Sequence, residues 1–154
     1  MAGYGGAMIV LILVILIAMI TVLLYHLLHR KRRPNSIDEM EGHDFEQFCA
    51  ELLQERGFVE VEVTKGSGDY GIDILAEKEG VTYAIQCKCY STPVGVKAVQ
   101  EAYAGRDYYD RMVGVVLTNQ YFTSPAVEAA GKLKILLWDR GYLDSMMQEK
   151  TIER

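Results

Sequence analysis

The chain has 154 residues, half of them hydrophobic, with 16 basic and 21 acidic side chains for a formal net charge of −5. That balance excludes a uniformly basic nucleic-acid binder. Three cysteines (Cys49, Cys87 and Cys89) exclude a disulfide-built scaffold and fit a reducing compartment.

The hydrophobic share is unevenly spent. Met8–Leu28 (MIVLILVILIAMITVLLYHLL) is almost wholly apolar, and at 1.5 Å per residue such a run spans roughly 30 Å, the thickness of a bilayer core. His29-Arg30-Lys31-Arg32-Arg33 follows at once. The excess of positive charge on the cytoplasmic side of membrane spans places that cluster, and all that follows it, in the cytoplasm. A cleavable leader would instead carry its charge before the apolar run and small residues after it. The expectation is a single-pass N-terminal anchor over residues 1–29, at the cell membrane, with Tyr25 at the interface. A basic, Pro-containing linker follows over 30–36, and Pro34 ends the helix near Arg33. The domain from 37 to 154 then holds all 21 acidic but only 12 basic residues, a net charge of −9.

The spacing of Phe45, Phe48, Cys49, Leu52 and Leu53 predicts an amphipathic helix over about 40–56, closed by Gly57. Glu46 lies beside the apolar stripe, within reach of a helix–sheet junction. Residues 58–64 (FVEVEVT) alternate and predict a half-exposed strand with Val59, Val61 and Val63 inward. A glycine-rich loop, Lys65–Gly71, leads to a second strand over 72–77. Lys78-Glu79-Gly80 turns the chain into a third strand over 81–90. A helix over about 96–109 follows, with Val99, Ala102, Tyr103 and Arg106 on one side. The apolar run 112–118 predicts a buried strand. Thr123-Ser124-Pro125 starts a helix to Leu133, then come a strand over 134–138 and a last helix capped by Asp139. This order gives an α/β domain whose sheet opens with an antiparallel meander and continues through crossovers.

Strand side chains alternate between faces. Gln86 and Lys88 therefore share one face of the third strand, and Ile85, Cys87 and Cys89 share the other. On the second strand Asp73 points opposite to Ile72, Ile74 and Ala76. Pairing the two strands by their apolar rows brings Asp73, Gln86 and Lys88 together. A carboxylate, an amide oxygen and an ammonium so grouped suit Mg²⁺-dependent hydrolysis. Mg²⁺ takes hard oxygen ligands and keeps several waters, so Asp73 and the Gln86 oxygen (or the adjacent backbone carbonyl) would suffice as ligands. Lys88 would orient the attacking water and stabilise charge on phosphate. Asp69 is a secondary candidate that reads first as a loop residue bonded to its own backbone. Cys87 and Cys89 read as small core residues, because a zinc site would need two further ligands.

The segments HDFEQFCAELL, TKGSGDYGIDIL, YAIQCKCY, VGVKAVQEAYAG and VLTNQYFTSPA occur in this order, and together they closely resemble the Mrr-like restriction endonucleases. The resemblance covers nearly the whole domain after the linker. It implies the αβββαβ restriction-endonuclease-like core of the PD-(D/E)xK nucleases, a mixed sheet flanked by helices. It further implies a metal-dependent, type IV restriction-like DNA endonuclease using Mg²⁺, with Mn²⁺ able to substitute, and no small-molecule cofactor. It maps catalytic positions onto Asp73, Gln86 and Lys88, and further polar positions onto Glu46 and Gln100. Ile72 departs from the superfamily in replacing a proline, and Gln86 in replacing the second acid. DNA is thus the expected partner and an oligomer is compatible with the pattern. The competing expectation is a catalytically degenerate fold that serves as a membrane-tethered DNA-binding or interaction module.

Overall fold

The computed structural model describes residues 4–28, 36–65 and 70–148. The chain divides into two compact units, Met1–Pro34 and Asn35–Arg154. In the first, helix α1 (Tyr4–Leu28) runs for 25 residues. Side chains within it are described only for residues 8–9 and 11–22. Among the described residues no helix is long and apolar enough to cross a membrane, so the structure lends the expected span no support.

The second unit is a five-stranded sheet in the order β1-β2-β3-β4-β5. A 3₁₀ turn (Ile37–Glu39) precedes helix α2 (Gly42–Glu55), whose buried face is Phe45, Cys49, Leu52 and Leu53, the expected stripe. Gly57, with φ +80, ends the helix in a left-handed conformation that a Cβ would strain.

Strands β1 (Val59–Val63), β2 (Ile74–Lys78) and β3 (Val81–Lys88) form the antiparallel meander. The turn between β2 and β3 has φ 53 at Glu79 and φ 78 at Gly80, the pair of positive values that a two-residue hairpin needs to match strand twist. One expectation fails in β1. Val59 is exposed, because pairing with β2 slips between Val59 and Glu62, and Glu60 takes φ 50. An inserted residue flips the alternation, and Phe58 takes the buried place instead, packed edge-on against Tyr83 and Trp138.

Helices α3 (Val96–Tyr108) and α4 (Ser124–Leu133) connect β3 to β4 (Val113–Thr118) and β4 to β5 (Ile135–Trp138), both pairs parallel. The Thr123 hydroxyl accepts a hydrogen bond from the Ala126 amide at the start of α4. Helix α5 (Arg140–Gln148) ends the described chain, and the Asp139 carboxylate accepts from the Tyr142 amide at its start. Two apolar layers sandwich the sheet. Ile74, Ala76, Ile85, Cys87, Val115 and Leu117 pack with α2, whereas Val116 and Ile135 pack with α3 and α4. The element order thus agrees with the sequence reading. The buried face of α3 differs from it, comprising Ala98, Val99, Ala102 and Gly105, while Tyr103 is exposed.

Candidate active site

Asp73 lies one residue before β2, and its backbone is fixed from both sides. Its amide donates to the Ile85 carbonyl at 2.9 Å, and its carbonyl accepts from the Thr64 amide at 2.9 Å. The Thr64 hydroxyl donates to the Ile72 carbonyl at 2.6 Å. The Asp73 carboxylate is held just as firmly: one oxygen, Oδ2, accepts the Cys87 backbone N–H at 2.6 Å and the Gln86 side-chain Nε2 at 2.8 Å. The hairpin therefore brings Asp73 and Gln86 into direct contact, as the face-sharing argument expects.

The alternation behind that argument breaks at one place. Ile72 does not join Ile74 and Ala76 but packs with Leu75 and Ala84. Ile72 and Asp73 precede β2, so the pleat does not bind them, and the turn at Gly71 (φ +76) sets their direction. Asp69, the secondary candidate in the same loop, lies outside the described residues.

Gln86 is 3% exposed, and among the described residues its Oε1 has no hydrogen-bond partner. Leaving a buried amide oxygen unpaired costs about 1–3 kcal/mol, so this oxygen marks a place where a cation or water would be favourable. It points toward α3: a Cβ built on Gly71 would stand 3.0 Å from Gln86 Oε1 and 2.9 Å from Glu101 Cβ.

Lys88, the last residue of β3, reaches the same helix, with its Nζ 3.1 Å from Glu101 Oε2. The other Glu101 oxygen lies 3.7 Å from Lys97 Nζ, one turn earlier in α3. Glu101 is the site residue that sequence reasoning passed over. Gln100, the expected polar position, is exposed, and its neighbour makes the contact. The helical register carried the signal, since residue 101 falls three after buried Ala98 and four before buried Gly105.

Cys87 lies on the reverse face of the sheet, in the core beside Cys49. A hydrogen bond with Cys49, burial, and the negative charges of Asp73 and Glu46 push its thiol well above the ordinary range. That pattern places Glu46 behind the site, on α2. Its carboxylate Oε2 is 3.2 Å from His43 Nδ1. Cys89 is half-buried, and its thiol is raised by burial first. Beyond the third strand, buried Asn119 ties the hairpin down: it accepts from the Tyr90 amide and donates to the Tyr90 carbonyl and to Asp38. The Arg140 guanidinium bonded to Asp38 holds that carboxyl below its usual range.

Among the described residues no three His, Cys, Asp or Glu side chains converge as a metal cluster. The oxygen donors around the site are the carboxylates of Asp73 and Glu101, the latter paired with Lys88, together with the Gln86 amide oxygen and backbone carbonyls. Such a set fits a hard divalent cation that keeps several of its waters, and does not fit zinc.

A restriction endonuclease family model, Mrr_cat, matches residues 37–147. No curated protein sequence matches the chain. Among solved structures, a protein of unknown function, AF1548, superposes with a TM-score of 0.61 at 27% identity, covering 74% of this chain and 72% of that one. The DNA modification-dependent restriction endonuclease AspBHI gives 0.58 at 20% identity, over 70% of this chain and 31% of its own. The MspJI restriction endonuclease in complex with a 27-mer oligonucleotide gives 0.53 at 20% identity, over 68% and 27%. The mixed sheet and its helices are a restriction-endonuclease-like fold, and this chain spans under a third of the two longer enzymes.

Proposed function

The chain belongs to the Mrr_cat restriction endonuclease family, and on that premise we propose that it is a metal-dependent endonuclease that hydrolyses DNA phosphodiester bonds. The observation that carries the reading is the orphaned Gln86 Oε1, buried beside a carboxylate that the strand pair holds rigidly. Asp73 and Gln86 would hold Mg²⁺ or Mn²⁺, with the backbone carbonyl next to Gln86 completing the set. A bound divalent cation would neutralise phosphate charge and acidify a water. Rotating the Gln86 amide by a half-turn exchanges its oxygen and NH₂ at the loss of its hydrogen bond to Asp73, a loss that a cation shared by the two oxygens would offset. Lys88, at the end of the same strand, would orient the attacking water and stabilise the charge that builds on the phosphoryl oxygens. Glu46 is proposed as an accessory acid behind the strand, and Asp69 and Gln100 as peripheral contacts.

The full chain should nick supercoiled plasmid with Mg²⁺ or Mn²⁺ and stop on chelation. Asp73→Asn and Lys88→Ala should each lower the rate by at least about 10²-fold. One observation favours a second reading, a DNA-binding module without cleavage: Asp73 Oδ2 is already satisfied by two protein donors. DNA binding without metal-dependent nicking, unchanged by Asp73→Asn, would establish that alternative.

We further propose that residues 1–29 anchor the enzyme, 30–36 link it and 37–154 cleave, on the cytoplasmic face of the cell membrane. The support is in the sequence: the run Met8–Leu28 is almost wholly apolar and four basic residues follow it at 30–33, a pattern that suits a span with its C-terminal side in the cytoplasm. The domain should stay with membranes through a carbonate wash and be digested by protease only in inside-out vesicles. A type IV role, restricting foreign or modified DNA, is part of the proposal and is supported by the likeness to a modification-dependent enzyme.

A further inference from the structure

We propose that Glu101 is a positioning residue that holds the Lys88 ammonium at its working place. The inference rests on the reading of Lys88 given above. A lysine side chain is long and rotamer-rich, and unless something fixes its tip that freedom is lost at the moment of reaction. Glu101 supplies the fixture. The Lys88 side chain is only 18% exposed and Glu101 30%, with 3.1 Å between the charged atoms. Such a pair is screened less than a surface pair, where each partner is mobile and hydrated.

The backbone bearing Glu101 is itself locked to the loop that bears Asp73. At Gly71 there is no room for a Cβ beside Glu101 Cβ at 2.9 Å. One helical turn on, Gly105 lies so close to Ile72 that a Cβ there would meet Ile72 Cγ1 at 2.3 Å. These two glycine contacts bracket the approach to Asp73 and fix α3 against residues 71–72. Asp73 is bonded to the strand that ends in Lys88. The path Asp73–β3–Lys88–Glu101–α3–residues 71–72 therefore closes on itself. A closed path of tight contacts can hold a charged side chain to the few tenths of an ångström that reactive geometry requires. Lys97, on the other carboxylate oxygen, is almost fully exposed and leaves Glu101 free to serve Lys88.

The test uses the full chain in detergent micelles with Glu101→Gln, Glu101→Asp and, as a control, Glu128→Gln. Glu128 forms an exposed ion pair with Lys132 on α4 and takes no part in the site. Three quantities are read: the order of the Lys88 Nζ group by ¹H–¹⁵N spectroscopy of lysine ammoniums, kcat and KM for plasmid nicking, and Mn²⁺ affinity. In Glu101→Gln the Lys88 signal should become as mobile as that of a surface lysine. Its kcat should fall about 10- to 100-fold, with KM and Mn²⁺ affinity within twofold of wild type. Glu101→Asp should recover part of both losses, and Glu128→Gln should match wild type. An ordered Lys88 in Glu101→Gln, or an undiminished kcat, overturns the proposal. So does a tenfold loss of Mn²⁺ affinity, which would make Glu101 a metal ligand. A wild type that nicks nothing while Lys88 order still depends on Glu101 removes the nuclease reading alone.

Discussion

Gly105→Ala tests how tightly α3 is held against the site. An alanine Cβ there would stand 2.3 Å from Ile72 Cγ1, 2.8 Å from Ile72 Cδ1 and 2.9 Å from the Tyr70 carbonyl oxygen. Carbon atoms in good contact sit about 3.5–4.0 Å apart, so the helix must retreat by on the order of 1 Å. Ile72 cannot simply swing aside, because it is fully buried, and the Tyr70 oxygen belongs to the backbone. Replacing glycine by alanine inside a helix gains about 1 kcal/mol of propensity, whereas overpacking costs typically about 1–3 kcal/mol. The clash involves three atoms, one of them backbone, so it should exceed the propensity gain and leave a net loss of about 1–2 kcal/mol. The single tryptophan, Trp138, is buried in the core and reports unfolding in denaturant by its fluorescence. The effect on nicking should be larger than on stability: a displacement of 1 Å at a reacting group costs about 10²-fold. Adding Ile72→Ala to this variant should restore room, so that the two substitutions couple favourably by about 1 kcal/mol. A Gly105→Ala protein that is as stable as wild type and nicks at the same rate would refute the close docking of α3.

Three further outcomes follow from particular contacts. Asp38, bonded to Arg140 and Asn119, has a folded-state pKa below its ordinary value of 3.8. A depressed carboxyl stabilises the fold above its unfolded pKa and loses that contribution as pH falls through the folded value. Melting temperature should therefore drop below about pH 4 more steeply in wild type than in Arg140→Ala, and parallel curves would sink the assignment. The Cys87 thiol, raised by Cys49, burial and the nearby acids, should resist alkylation at pH 8 until the protein is unfolded in denaturant, as read by mass spectrometry. Rapid native labelling of Cys87 would contradict its placement in the core. Gly71→Ala must place a Cβ at φ +76 against Glu101 and Gln86, so it should cost more than Gly42→Ala, where nothing lies within 4 Å, in a comparison of denaturation midpoints.

Much of this geometry was legible in the sequence, for a physical reason. The apolar periods of α2, β2, β3 and β4 are long and clean, and they fix the order of elements and the pairing that brings Gln86 to Asp73. Where periodicity is interrupted, inference from spacing failed. The extra residue near Glu60 in β1 turned Val59 outward, and the turn at Gly71 sent Ile72 to the opposite side from Ile74. Alternation is a property of a paired strand, so it gives no guidance one residue before the ladder begins. Glu101 was missed on other grounds. Its helix is rich in small residues, and a face marked by Ala98, Ala102 and Gly105 gives a weak apolar signal although it packs closely.

The acidic balance of the domain, which counts against DNA as a partner, loses force once charges are placed. At the site itself Glu101 stands between Lys88 and Lys97, so its carboxylate is matched by ammoniums, and the Asp73 carboxylate is met by the Gln86 NH₂ and the Cys87 amide. Glu60 and Glu62 lie exposed on β1, an edge strand of the sheet, where charge deters another chain from pairing with the open edge. Glu51 and Glu55 lie exposed on α2, the layer that packs on the other side from α3. Some of the excess negative charge thus serves the edge and the helix surface rather than the site, and a bound divalent cation would make the site's own balance positive. DNA affinity should accordingly rise with Mg²⁺ or with non-catalytic Ca²⁺ in the wild type, and rise much less in Asp73→Asn. If the cation left affinity unchanged in both proteins, the negative charge of the domain would regain its weight against the nuclease reading.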